Sequence, residues 1–332
     1  LAHLTRADGI LFVLVLVIAA LWGRFGSLQN GWRPALIGVL AYVVIMTPWA
    51  IRNLNAVGTV LPVGGFQSAW FSSYDQIAAY PPVASLSDFL ASGLGTIIQT
   101  RVTALTLNVQ TFVAVEGLIV LTPLLLIGLW RRRFDPRLSG VILYALGLHA
   151  LMTLVFALPG MRGGLLHSAA ALVPYWAALG TIGLDDVLRW ASKRRRWPLK
   201  QAQTVFAGSL VGWAILLSML IGAKLIGTWN SADPAYAILG AQLPRDAVVM
   251  VNDPPAFYYQ TGLSAVVVPD SAPDVIPTLA ARYGVTYLLL DVNRTEPFAA
   301  LYEGQVSYPF LRLLQNDPVT GLRLYQVIKE TP

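Results

Sequence analysis

Six apolar stretches, at 9–22, 34–51, 111–130, 138–158, 166–188 and 203–227, decide what this chain can become. A helix of about 20 apolar residues crosses a bilayer core. In hydrocarbon every backbone N–H and C=O must bond within its own segment, so each stretch is expected to be a helix. Of the 332 residues, 56% are hydrophobic and 12% charged, whereas soluble domains are about 45–50% apolar. The expected class is a polytopic α-helical membrane bundle of about six transmembrane helices.

The connecting loops set an orientation. Arg24 and Arg33 lie between the first two stretches, and Arg131, Arg132, Arg133 and Arg137 between the third and fourth. Arg189, Lys193, Arg194, Arg195, Arg196 and Lys200 lie between the fifth and sixth. Loops rich in Lys and Arg stay in the cytoplasm. The alternate segments, 1–8, 52–110, 159–165 and everything after about 228, are then expected outside. The net charge of +6 sits in these short loops, so nucleic acid is not an expected partner. With no cysteine there is no disulfide and no Cys-based metal or redox site.

The expected organisation is a transmembrane region over 1–229 with a long outer loop at 52–110, then an extracytoplasmic α/β domain over 230–332. Within the loop, apolar positions from Leu86 to Val109 fall at helical spacing, with Ser87 and Asp88 available as caps. This predicts an amphipathic helix lying on the outer membrane surface or packed on the bundle. After Trp229 the balance turns to six Lys/Arg against ten Asp/Glu. AVVMVND (247–253), SAVVVPD (264–270) and VTYLLLDVN (285–293) alternate with helical patterns, which predicts a largely parallel sheet. GLRLYQVIK (321–329) adds a last strand.

Three arginines stand out because they fall on the side where positive charge is least expected. Arg6 and Asp8 lie in LTRADG (4–9), Arg52 in TPWAIRN (47–53), and Arg162 with His167 in LPGMRGGLLHS (158–168). The structural reading makes Arg6 and Asp8 a capped helix start, Arg52 an interfacial anchor, and the 158–168 turn a glycine corner. The functional reading uses guanidinium as a planar, permanently charged fork for a lipid phosphate. Glycines there let backbone N–H groups approach an anion.

Acidic candidates for a general base are Asp75 and Asp88 in the long loop and Glu116 within the third stretch; Glu116 is expected to pair with Arg101 or Arg162 if it is structural. Asp253, Asp270 and Asp291 end the three strands, where ligands often bind and where Asp is also a common turn residue. His149, inside an apolar stretch, is read as a packed or helix-bonded residue, and His3 lies near the outer face. No residue pattern supports a divalent metal, and no cofactor is assigned.

LTRADG, TPWAIRN and RGGLLHSAAALVPYWAALGTIGLDDVLRW, with DPPAFYYQTG, VVVPD and ARYGVTYLLLD in the tail, resemble the C-terminal half of bacterial GT-C glycosyltransferases. That family includes the aminoarabinose and protein mannosyl transferases. Ala7 stands where the family's first motif usually has proline. The resemblance implies a multi-pass protein of the bacterial plasma membrane. It would transfer a sugar from a polyprenyl-phosphate donor to a glycan, lipid or protein acceptor on the outer face. Arg6, Asp8, Arg52, Arg162 and His167 would be the substrate-binding positions. The family's catalytic acid lies in its first outer loop, expected upstream of Leu1, so no base is assigned and this portion alone is expected to be inactive. The alternatives are a transporter or flippase-like protein and a non-catalytic envelope assembly partner.

Overall fold

The computed structural model describes residues 2–21, 32–60, 66–81, 84–229 and 233–328. Arg24 of the first basic loop and Lys329 of the last strand pattern lie outside the described residues. The chain forms two compact units. The first comprises 1–72 and 84–218, and the second 73–83 and 219–332.

The first unit is helical. Its main elements are α1 (Ile10–Leu21), α2 (Trp32–Val57), α3 (Leu94–Thr111), α4 (Leu121–Arg132), α5 (Ser139–Ala150) and α6 (Val173–Arg195), with the start of α7 (Leu199–Trp229). Among the described residues four helices are long and apolar enough to cross a membrane, or five if one bent pair counts as a span. Hydropathy explains why these helices suit lipid rather than water. In the most apolar window of α7, mean hydropathy is 2.1 and 0% of the window is buried within the protein. An apolar surface of that kind belongs in hydrocarbon. α1, at 12 residues, is shorter than a span.

The third apolar stretch differs from expectation. It is not one straight helix. α3 continues through a π turn to Glu116, and α4 then leaves at 96°. At the corner Leu118 and Ile119 take φ of 46° and 62°, a left-handed conformation that costs a branched residue energy. The corner is held by Ile119 N–H on Val113 O at 2.8 Å and by Trp213 Nε1–H on Leu118 O at 3.0 Å. Most of the 86–109 segment lies in α3, where Ala104 and Asn108 are buried. The segment's first turn, Leu86–Ala91, is capped by Ser85, not by Ser87 or Asp88.

α4 and α6 touch backbone to backbone. A Cβ on Gly183 would overlap Leu124 O, and one on Gly128 would overlap Leu179 O. Small residues permit this approach between helices in lipid. The basic last turn of α4 is met by the middle of α6, where Asp186 lies 3.7 Å from Arg131 and 3.6 Å from Arg132. The GLDD stretch, mid-way along α6, therefore works in helix packing and charge pairing.

The second unit is an α/β domain. It contains α8 (Asp233–Gly240), β1 (Val248–Val251), α9 (Pro254–Thr261), β2 (Ser264–Val267), α10 (Ile276–Tyr283), β3 (Tyr287–Leu290), β4 (Leu311–Asp317) and β5 (Leu322–Val327). Strand order is β2-β1-β3-β5-β4. β2, β1 and β3 are parallel, while β5 pairs antiparallel with β3 and with β4. The sheet is therefore mixed rather than largely parallel, with the parallel β2-β1-β3 part extended by an antiparallel β5-β4 hairpin. β4 has no clear sequence signature because it is an edge strand with exposed leucines, Leu313 at 49% and Leu314 at 47%.

Residues 73–83 join this domain rather than the bundle. Asp270 N–H donates to Ala78 O at 3.1 Å, Tyr80 N–H to Ser271 Oγ at 2.8 Å, and Arg282 to the Tyr80 hydroxyl at 3.3 Å. Burial, helped by the Asp75 carboxylate, pushes the Asp270 carboxyl above the ordinary carboxylate range. The folded domain therefore holds this proton more tightly than the unfolded chain. The contribution is complete below the unfolded value of about 4 and is lost as pH rises through the raised one. Asp270→Asn is expected to raise the melting temperature at pH 7 and to flatten its pH dependence across the acidic window. An unchanged melting profile between pH 4 and 7 would refute this.

Candidate functional site

The site begins with the N-terminal segment. Residues 2–5 form one helical turn, Arg6 is extended (φ −152°, ψ 143°), and Ala7–Gly9 wind a short turn into α1. Gly9 is required by close packing, since a Cβ there would strike the backbone of Ala2. Asp8 does not cap a helix; it pairs with Arg6, whose Nε donates to Oδ1 at 3.0 Å. Arg6 Nη2 donates to Gly164 O at 3.3 Å. A guanidinium has five N–H donors, so three remain on a side chain 42% exposed.

Gly164 belongs to the Arg162 segment. This is not an open loop but a π turn, Gly160–Gly164, kinked at Arg162 (φ −94°, ψ 22°) and Gly163 (φ 109°, ψ −11°). Only glycine takes the second conformation without strain. A right-handed residue followed by a left-handed one turns successive N–H groups toward one side. His167 packs over Gly163, its Nε2 3.8 Å from where a Cβ would stand. Gly164 O also accepts from Ser168 Oγ at 2.8 Å. Arg6, Asp8 and the segment carrying Arg162 and His167 are therefore joined at one end of the bundle, with Arg162 and His167 both exposed.

Arg52 is not joined to them. It donates to Asn53 Oδ1 at 3.4 Å, and among the described residues no hydrogen bond or ion pair links it to Arg6, Asp8, Arg162 or His167. The locked residue of this motif is Asn53, 4% exposed, which donates to Val60 O and ties α2 to the following loop. His3 stacks on Tyr42 and bonds its hydroxyl at 2.6 Å, and burial lowers its pKa despite Asp8.

Glu116 forms a second polar centre, with partners other than Arg101 or Arg162. Only 3% exposed, it meets His149 Nε2 at 3.1 Å through Oε1 and accepts from Trp176 Nε1 at 2.7 Å through Oε2. His149 Nδ1 lies 2.8 Å from Ala145 O. A carbonyl can only accept, so Nδ1 carries a hydrogen. One further proton must then lie between Nε2 and Oε1. The pair is either imidazolium with carboxylate or imidazole with carboxylic acid, and it is neutral in both forms. Arg101 instead donates to Leu154 O at 3.3 Å and covers the Phe89 ring.

The remaining acidic candidates have structural partners. Asp88 binds its own cap Ser85, Asp75 sits in the capped turn of 73–83, and Asp253 caps α9. Asp291, at the ends of β1 and β3, accepts from Tyr236, Asn252 and the Asn293 N–H. Burial, then Asp291, pushes the Tyr236 phenol above its ordinary value. The chain thus fills this crevice itself. Among the described residues no three His, Asp or Glu side chains are grouped to hold a metal ion. Trp176, which bonds Glu116, and the bonded pair Asn108 and Thr153 are buried polar partners that the sequence does not flag, since each lies in an apolar or weakly polar context. Compared with models of known families and with curated proteins, the chain matches none.

Proposed function

We propose that this chain is the membrane portion of a glycosyltransferase that uses a polyprenyl-phosphate-linked sugar, and that Arg6 and Arg162 hold the donor phosphate. The reading is supported above all by the Arg6–Gly164 hydrogen bond, which unites two motifs 158 residues apart. Asp8 orients Arg6 while leaving guanidinium donors for phosphate oxygens. Gly163 turns backbone N–H groups toward the same anion, and His167 adds a ring beside them. These groups bind and orient; charge developing on the leaving phosphate would be stabilised by the same donors. Deprotonation of the acceptor is assigned to a base outside these residues. The charge bias of the loops supports an outward-facing site.

The test uses the full-length protein and decaprenyl phosphate as probe, with decaprenol as the uncharged control. A hydrogen bond to a charged group contributes about 1.5–3 kcal/mol, so Arg162→Ala and Arg6→Ala are each expected to weaken phosphate binding by about 10-fold or more. Arg52→Ala is expected to change it little. Unchanged affinity in both of the first two variants, or equal binding of decaprenol, would overturn the proposal.

A second reading, a transporter, is favoured by the 96° break after Glu116, because transporters build substrate sites at interrupted helices. Here the carboxylate at the break is closed by His149 and Trp176, which favours the first reading.

A further inference from the structure

α6 outruns its neighbour α4, and the shelf left bare is basic and aromatic. The two helices run side by side, from Gly183 against Leu124 to Asp186 against Arg131 and Arg132. α4 then ends at Arg132, whereas α6 continues to Arg195, roughly 14 Å further at about 1.5 Å per residue. Helix positions four apart share a face. Asp186, Trp190 and Arg194 therefore form one stripe, and the pairing of Asp186 turns that stripe toward the end of α4. Trp190 is 62% exposed, and the exposed Arg194 stands over its ring at 5.9 Å. On the α4 side Arg133 covers Trp130 at 4.0 Å and Phe134 at 4.6 Å, both exposed.

The charge of this shelf is not balanced from within. Residues 131–137 and 185–200 carry ten Lys and Arg against three Asp. Asp186 serves two guanidinium groups, and Asp185 is taken by Arg189. Among the described residues no ion pair reaches Arg133, Lys193, Arg194, Arg195 or Arg196. Keeping a loop on the basic side of a membrane needs charge alone; it does not need arginines laid on indoles. Stacking occupies the flat face of a guanidinium and leaves its N–H edge free. Arg133 gives one donor to Trp130 O, and a guanidinium has five. An arginine held in this way still offers a fork to phosphate oxygens. The surroundings say which phosphate. Exposed tryptophans at the ends of membrane-length helices lie in the head-group layer, and Trp197 stacks on Phe206 of α7 at 6.2 Å to extend that layer. α7 exposes its whole apolar window, so the anions permanently beside the shelf are those of lipids.

We propose that the shelf where α6 outruns α4 binds the head group of an anionic phospholipid. Arg194 donates to its phosphate, the guanidinium groups at the end of α4 complete the positive wall, and Trp190 packs along its glycerol and first methylenes. The shelf shares no residue with the Arg6–Arg162 site and does not depend on the role given to that site.

The test is native mass spectrometry of the full chain released from nanodiscs holding equal amounts of phosphatidylglycerol and phosphatidylcholine. Retained phosphatidylglycerol is expected to exceed phosphatidylcholine by at least about five-fold, the worth of one basic residue at a membrane surface. Arg194→Gln should cut phosphatidylglycerol retention by about five-fold. Trp190→Leu leaves every charge in place and should still cut it by about two- to five-fold, because the guanidinium loses its platform. Both side chains are exposed, so neither change reaches the helix core. Excess glycerol phosphate should not release the lipid. Equal retention of the two lipids, parent-like retention in either variant, or release by glycerol phosphate would each overturn the proposal.

Discussion

Glu116→Ala is expected to destabilise the helical unit by about 3–5 kcal/mol, the usual cost of removing one partner from a buried charged or proton-sharing pair. Glu116→Gln is expected to cost under about 1 kcal/mol, less than the typical net worth of a hydrogen bond. The difference follows from the proton count. With Ala in place of Glu116, Trp176 Nε1–H and His149 Nε2 both lose their partner in a site only 3% exposed. Gln reproduces the neutral form of the pair: its amide N–H donates to Nε2 and its carbonyl accepts from Trp176. Thermal unfolding of the two variants in one detergent reads the contrast. Equal, severe losses would show that a carboxylate is required and that the pair is held as imidazolium and carboxylate. Equal, mild losses would show that the centre carries little of the fold.

The helical elements and the α/β tail are legible in the sequence because hydrophobic period and strand-ending Asp residues are local signals. The corner at Gly117–Val120 is not. Leu118, Ile119 and Val120 are all apolar, and hydropathy does not register a left-handed backbone. The partners of Glu116 lie 33 and 60 residues away, so its polarity was visible while its pairing was not. The grouping of Arg6 with the Arg162 turn could be expected from their shared side of the bundle. Arg52 could be expected there too, yet Asn53 is the residue its motif buries. The strap at 73–83 was hidden for a different reason. Tyr80 packs on the second unit's core, but nothing in the neighbouring sequence marks the change of unit.

The contact between α4 and α6 yields the other large effect. Gly183→Ala is expected to destabilise the bundle by about 1–3 kcal/mol, the range for overpacking a tight contact, whereas Gly212→Ala on α7 should be neutral or stabilising by up to about 1 kcal/mol. A Cβ on Gly183 meets the Leu124 carbonyl and the Gly128 nitrogen, both backbone atoms that cannot rotate away. Around Gly212 there is nothing within 4 Å, so the added methyl meets only the surrounding solvent or lipid and the helix gains propensity. Separation at Gly183 also has a remote consequence. α6 carries Trp176 and α4 follows the corner after Glu116, so prying the helices apart strains the 2.7 Å bond between Trp176 and Glu116. The two lesions should therefore be coupled. Combining Gly183→Ala with Trp176→Phe is expected to cost less than the sum of the single changes, because the second bond is already weakened in the first variant. Strict additivity would show that the glycine contact and the Glu116 centre are held independently.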